Sequence, residues 1–313
     1  MFFFLKLEIV IMLEAFKRAF QKNERQMKAL TGLSSSEFSA LSETFEKVYH
    51  ANRQKISSTR KRAVGGGKKS SLSLMEKLFV VLFYLKTYPT FDVLGACFKV
   101  DRSTGCRWIH QFLPILEPTL GEETVLPERQ IESLDKFRET FPELEDIFID
   151  GTERPTQRAS DYKLQKEYYS GKKKRQTLKN LIFSDSCHKI LRLSQTQPGK
   201  NHDYTLFKQL DPKIPSNMVN WVDLGFQGIE KDFPSLEVVI PKKKPRGKEL
   251  TFEQKGENTM GARVRVAAEH AIAGIKRLKI VSETFRNRTS SLTDTFMLLA
   301  CGLWNFHLKI HSG

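Results

Sequence analysis

The sequence predicts an all-α domain followed by an α/β domain built on a mixed sheet. Three observations carry this. Apolar residues recur at helical intervals through roughly the first 118 positions. From about Phe148 the pattern switches to short apolar runs bounded by turn residues, as strands require. A long helical pattern from Phe252 past Leu278 and a final amphipathic segment, "LTDTFMLLACGLWNFHLKI", then close the chain. Strand, hairpin, helix, strand, strand and long helix describe an α/β layer arrangement. At 313 residues with 40% hydrophobic content, the chain can bury a core in each of two domains.

In chain order, residues 1–56 form an N-terminal helical segment, with Leu30, Leu33, Phe38, Leu41, Phe45 and Val48 at helical spacing. Ser34 to Ser36 before Glu37 offer an N-cap that separates two helices. Residues 57–71, "SSTRKRAVGGGKKSS", combine three glycines, serines and five basic residues, a composition that cannot pack; this is read as a basic, Gly-rich linker. It is a solvated hinge, or an arm laid along a phosphate backbone, and the two are compatible. Residues 72–118 read as helix, short helix, tight turn, helix: "LSLMEKLFVVLFYLKTY" up to Pro89, about Thr90 to Phe98, and a third helix capped by Asp101. That is the pattern of a helix-turn-helix unit, although a plain three-helix bundle has the same outline. Leu94 and Ala96 are expected inside and Val100 in the turn, with Trp108, Ile109 and Phe112 anchoring the third helix. Arg102, Ser103, Thr104 and Arg107 then lie at the exposed start of the recognition helix. Residues 119–145 connect to a second domain at 146–313.

In that second domain "IFID" is a strand, and "QTLKNLIFSD" and "KILRLSQTQ" flank Ser186–His188 as a hairpin. "DYTLFKQL" is a short helix, and "MVNWVDLGFQG" and "LEVVIP" are further strands.

The balance of 51 Lys+Arg against 36 Asp+Glu, a formal charge of +15, favours a polyanionic partner, nucleic acid ahead of an anionic membrane surface. Cys97, Cys106, Cys187 and Cys301 are widely spaced, which argues against a disulfide framework or zinc ribbon and for a reducing compartment. The seven histidines show no metal-ligand spacing. The apolar start is interrupted by Lys6, Glu8 and Glu14, too short and charged to span a bilayer and without a convincing cleavage site, so neither membrane nor targeting signal is expected. Met12 is an alternative start.

Two apolar runs end on an aspartate followed closely by glycine: "IFIDG" at Asp150 and "WVDLG" at Asp223. Taken alone, Asp150-Gly151 is an ordinary turn pair. Taken together, two carboxylates on neighbouring strands repel, and a divalent cation between them relieves the repulsion. Oxygen-only ligands of this kind suit Mg²⁺ or Mn²⁺. Glu269 supplies a third acid beside the apolar face Val264, Ala268, Ala271, Ile272 and Ile275 of the long helix. An Arg265–Glu269 i,i+4 ion pair is the plain alternative. "YYSGKKKRQ", with Lys172, Lys173, Lys174 and Arg175, reads as a phosphate-tracking loop or as a solvated hairpin entry.

The ordered acids Asp150, Asp223 and Glu269 resemble the DDE arrangement of RNase H-like transposases. "IDGTERP", "WVDLGFQG" and "EHAIAGIKRLKI" are similar to segments of IS5-type insertion-sequence transposases and their Harbinger-like relatives. "QPGKNHDYTLF" resembles that group's Gly-x-x-His-Asp segment, and Arg265, Glu269 and Lys276 follow the spacing around its catalytic glutamate. Ala262 stands where that spacing has a tyrosine, which leaves the tyrosine's DNA contact without a counterpart. The resemblance spans roughly residues 57–305 and offers no role for His202-Asp203.

The resemblance implies an RNase H-like catalytic domain whose Asp150, Asp223 and Glu269 are both catalytic residues and ligands of two Mg²⁺ (or Mn²⁺) ions. One ion would activate a water or the 3′-hydroxyl of an element end, and the other would stabilise the leaving oxygen. Arg265 and Lys276 would contact DNA. It implies double-stranded DNA partners, terminal inverted repeats and target, a homodimer or larger assembly, and a bacterial cytoplasmic, nucleoid-associated setting. Cut-and-paste transposition is the activity implied; a domesticated helix-turn-helix regulator and an RNase H-like nuclease are the alternatives.

Overall fold

The computed structural model describes residues 10–58, 70–287 and 290–311, so residues 59–69 of the basic linker lie outside the described residues. The chain divides into two compact units. The first runs to Leu126 and takes in Arg277–Ile280 and the residues from Phe306; the second holds Pro127–Lys276 and Val281–Asn305. The expected limits at 118 and 146 therefore differ from this division, and the two short C-terminal stretches group with the helical unit.

The helical unit begins with α1 (Val10–Lys22), α2 (Glu24–Thr31) and α3 (Ser35–Ser58). Asn23 starts α2 by accepting from Gln26 N at 2.9 Å, and Gly32 ends it at φ +83°. The expected cap before α3 is a reciprocal capping box: Glu37 N donates to Ser34 Oγ (3.2 Å) and Ser34 N to Glu37 Oε2 (2.5 Å). α4 (Leu74–Thr87) is apolar on every side, and Leu78 to Leu85 are all buried, so this helix is central to the unit. Phe79 stacks on Phe16 at 4.2 Å, and Phe98 meets Phe83 edge-on at 5.6 Å.

α5 (Phe91–Phe98) and α6 (Arg102–Glu122) complete the helix-turn-helix. Leu94, Gly95 and Phe98 face inward, whereas Ala96 is exposed, contrary to expectation, because it lies across the short helix from that buried stripe. A Cβ on Gly95 would stand 2.6 Å from the Val100 carbonyl, so glycine is what lets the turn close against α5. α6 continues through Pro114 and Pro118, beyond the expected end. Leu116 and Leu120 are fully buried, and this burial outweighs the lost backbone bonds.

The second unit comprises α7 (Leu134–Thr140), β1 (Asp146–Pro155), α8 (Tyr162–Tyr168), β2 (Tyr169–Ser170), β3 (Arg175–Ser184), β4 (Ile190–Leu193), β5 (Gln197–Pro198) and α9 (Asp203–Leu210). β6 (Val219–Val222), a 3₁₀ turn (Leu224–Phe226), α10 (Ile229–Asp232), β7 (Glu237–Val239), α11 (Phe252–Lys276), α12 (Lys279–Ser282) and α13 (Ser290–His311) follow. The sheet order is β2-β3-β1-β6-β7, with β4 and β5 also pairing β3. β1 pairs β3 antiparallel and β6 parallel, and β6 pairs β7 parallel: the mixed, RNase H-like sheet that was expected. The hairpin around Ser186–His188 forms as expected, with His188 at φ +67°.

Period-two alternation along β1 divides the two faces of the sheet. Ile147 and Ile149 enter a core with Leu181, Phe183, Leu206, Phe207, Val222 and Phe226. Phe148 points the other way and stacks on Trp221 at 6.2 Å. α11 packs against β1, β3 and β6, with Ala268, Ala271, Gly274 and Ile275 buried.

Candidate active site

β1 and β6 run parallel, and their last register pair is Ile149↔Val222. Asp150 and Asp223 are therefore the next residues on neighbouring strands, at the same level of the sheet. β1 itself does not stop there, although "IFID" alone reads as the strand. Gly151↔Leu181 through Pro155↔Thr177 continue the ladder with β3, so Asp150-Gly151 is extended strand rather than a turn. What ends is the pairing with β6, because the chain leaves that strand at Asp223 to enter the 3₁₀ turn.

The Asp150 carboxyl is pushed up to about 6. Burial is the largest cause; the charge of Asp223 adds, the Gly151 N–H opposes, Asp203 adds and Lys172 opposes. Gly151 N donates to Asp150 Oδ1 at 2.7 Å, and Gly225 N donates to Asp223 Oδ1 at 2.7 Å. Each carboxylate is thus oriented by the backbone N–H that follows it closely.

A further acid, Asp203, adjoins this pair. It is the first residue of α9, and its carboxylate lies under the strand on the face opposite Asp150. A Cβ on Gly151 would stand 2.6 Å from Asp203 Cγ, and one on Gly225 would stand 3.7 Å from Asp203 Oδ2. Gly151 therefore clears space for the Asp203 carboxylate, whereas Gly225 clears space for that of Asp223, 2.8 Å from where its Cβ would stand. Lys179 Nζ holds it at 3.0 Å, sits 3.3 Å from Glu153 Oε1 and donates to the Asn201 carbonyl at 2.7 Å. Glu153, opposite Lys179 in the ladder, is held below the usual carboxylate range; burial opposes this, and hydrogen bonds from Ser170 and Thr177 with the Lys179 charge produce it. Sequence reasoning left Asp203 without a role. The one local signal is Gly151 itself, a residue without a side chain in mid-strand where another element comes close.

Glu269 lies on α11, between Gly261 and Ile272. A Cβ on Gly261 would stand 3.9 Å from Trp221, which pairs with Phe148. Farther along α11, Ile272, Ile275 and Lys276 share a small cavity with Thr152. Arg265, Glu269, Ile272 and Lys276 follow one helical stripe. Glu269 is exposed, and the three carboxylates Asp150, Asp223 and Glu269 do not all come within 4.8 Å of one another. Among the described residues no ion pair joins Arg265 to Glu269, and Arg265 Nε is buried without a hydrogen-bond partner. The Lys276 ammonium is held below the usual lysine range by desolvation, reinforced by Lys173 and opposed by Asp150 and Glu153.

The other basic residues stand on the surface. Arg102 and Ser103 are exposed at the start of α6, Thr104 is half-buried, and Arg102 Nε lies 3.6 Å from Asp92. Arg107 is exposed and folds along its own helix, donating to Thr104 Oγ1 (3.0 Å) and the Ser103 carbonyl (3.3 Å). Asp101 occupies the cap position but makes no capping hydrogen bond. Lys172, Lys173 and Lys174 are exposed between β2 and β3, and Arg175 is exposed at the start of β3. Among the described residues, three potential metal-ligand atoms lie within 4.8 Å of one another at Glu37, His307 and His311. That group belongs to the helical unit, where Glu37 already caps α3 and pairs with His307.

Residues 149–305 match the family model described as DDE superfamily endonuclease, and residues 70–122 match the helix-turn-helix of DDE superfamily endonuclease. The first match contains Asp150, Asp203, Asp223 and Glu269, and the second contains α4–α6. A probable transposase for insertion sequence element IS702 from Microchaete diplosiphon is 28% identical over 298 residues, covering 94% of this chain and 98% of that protein. No solved structure matches the chain. Paired aspartates at one level of an RNase H-like sheet, a helix-turn-helix ahead of them and these matches together mean that the chain belongs to the DDE superfamily endonucleases, as a DNA-cleaving enzyme of the transposase kind.

Proposed function

We propose that this endonuclease is the transposase of an IS5-type insertion sequence, that it binds the element's terminal inverted repeats, and that it moves the element by cut-and-paste. The observation that carries the proposal is the register of β1 and β6, which sets Asp150 beside Asp223. Endonucleases of this superfamily act with divalent metal ions. The donor set here fits such an ion: the Asp150 carboxyl is destabilised as an anion first by burial and then by its neighbours Asp223 and Asp203, and a hard cation is what would relieve it. Asp150, Asp223 and Glu269 would hold two Mg²⁺ ions, with Glu269 swinging in from its exposed position on α11. The bound metal supplies polarisation of the scissile phosphodiester and a more acidic attacking hydroxyl.

The protein's own residues do the rest. Arg102, Ser103, Thr104 and Arg107 meet base edges and phosphates of the terminal repeat from α6. Lys172 to Arg175 follow the backbone beside the cut, and Arg265 and Lys276 neutralise phosphate charge along the α11 stripe. Gly151 N–H and Gly225 N–H fix the two aspartates before DNA arrives, which limits reorganisation at the reacting centre. Asp203, through Lys179, supports Gly151 from below and is a positioning residue. Two protomers, one per element end, would make the active complex.

A supercoiled plasmid carrying the element's two ends between marker sequences tests the proposal. Purified protein with Mg²⁺ should release the element and join it to a second plasmid. Cleavage scattered along the plasmid with no joined product would show a nuclease instead of a transposase.

A further inference from the structure

Between β1 and β3 the chain inserts α8 and the two-residue edge strand β2. No residue of α8 is buried, so this helix contributes no core. With the β2–β3 turn and Lys200 it bounds an open groove of about 690 Å³. Five cations line the groove, Arg158, Lys166, Lys174, Arg175 and Lys200, and no carboxylate does. Two tyrosines also line it, Tyr162 at 67% exposure and Tyr169 at 43%.

The groove is built rather than incidental. Gln165 Oε1 accepts from Arg158 Nε and Nη2 at 2.9 and 2.8 Å, and Gln165 Nε2 donates to the Ala159 carbonyl at 2.9 Å. One glutamine thereby fixes the approach segment to α8. Lys166 Nζ lies 4.6 Å from the Tyr162 ring centroid and steadies that ring. Lys200 N donates to the Glu167 carbonyl at 3.2 Å and ties the far wall to the helix.

Exposed aromatic rings among cations, without acids, match the chemistry of an unpaired nucleic-acid strand: phosphates for the cations and free base faces for the rings. Paired bases within a duplex have no free face for a tyrosine to stack on. We infer that the α8 groove is a binding site for single-stranded DNA, with Tyr162 and Tyr169 as stacking platforms and Arg158, Lys166, Arg175 and Lys200 as phosphate partners. On the transposase reading this strand is the one freed beside the cut end, so that biological role rests on that reading; the binding itself does not.

The test is fluorescence anisotropy of the full chain, without divalent metal, on a fluorescein-labelled oligothymidylate of about 10 nucleotides. A blunt duplex of the same length is the comparison. The Tyr162→Ala/Tyr169→Ala variant should bind the oligothymidylate about tenfold or more weakly and the duplex within about twofold of wild type, because stacking is lost base by base. Both side chains are exposed, so the variant should fold as wild type does. Tyr162→Phe/Tyr169→Phe should restore most of the affinity. Unchanged oligothymidylate binding by the alanine variant, or an equal loss on single strand and duplex, would overturn the site. Failure of the transposase reading would instead appear as an absence of end-specific cleavage with this single-strand binding intact.

Discussion

The Asp150 carboxyl carries the tension of the site. In the folded chain it keeps its proton to about pH 6, whereas an unfolded chain loses it near pH 4. Between those values the unfolded state binds fewer protons, so stability falls as pH rises through about 4 to 6 and then stays level. Asp150→Asn should therefore stabilise the metal-free protein at pH 7.5 by about 1–3 kcal/mol. Thermal melts would show a gain in Tm at pH 7.5 that shrinks towards pH 4; an equal gain at both values would assign it to another cause. Gly151→Ala should do the opposite, costing about 1–3 kcal/mol by driving a methyl into Asp203. Chemical denaturation measures that loss, and Asp203→Ala should recover part of it. At this scale the two aspartates were legible because apolar runs lead into both. Asp203 was not, because nothing in "GKNHDYTLF" tells that its carboxylate tucks under a strand some fifty residues earlier in the chain.

Elements decide where these side chains can reach. The register of β1 against β6 aligns the aspartates, and Glu269 is exposed on α11. Glu269→Gln should lower metal-dependent cleavage by at least about 100-fold with duplex binding nearly unchanged, as gel-shift and cleavage assays on the same substrate would read. In the helix-turn-helix, Arg107→Ala should weaken binding to the terminal repeats by about 1–3 kcal/mol and lower the salt slope if the side chain unfolds from Thr104 onto DNA. Unaltered affinity and slope would remove it from the interface. Helix periodicity predicted α4, α5, α9 and α11 well. The third helix was read only as far as about residue 118, whereas buried Leu116 and Leu120 carry α6 past Pro118 to Glu122. An Asp-Gly pair likewise suggested a turn where β3 holds the backbone extended. In both places non-local packing set the outcome, and non-local packing is what one sequence conceals.

At the scale of the whole molecule, a formal charge of +15 suits a protein whose ligand is a polyanion, and affinity for any duplex should fall steeply with salt. Among the described residues no helix is long and apolar enough to cross a membrane. The helix-turn-helix belongs to the helical unit and the paired acids to the sheet unit, so the two lie in separately packed parts of one chain. That separation makes binding and chemistry experimentally distinguishable. Incubating wild type and Asp150→Asn with a duplex bearing the element's terminal repeat, with Mg²⁺, and following binding and cleavage together tests the account most directly. The account predicts cleavage by wild type only, with both proteins binding the repeat within about threefold of each other. Cleavage by Asp150→Asn at the wild-type rate would contradict it.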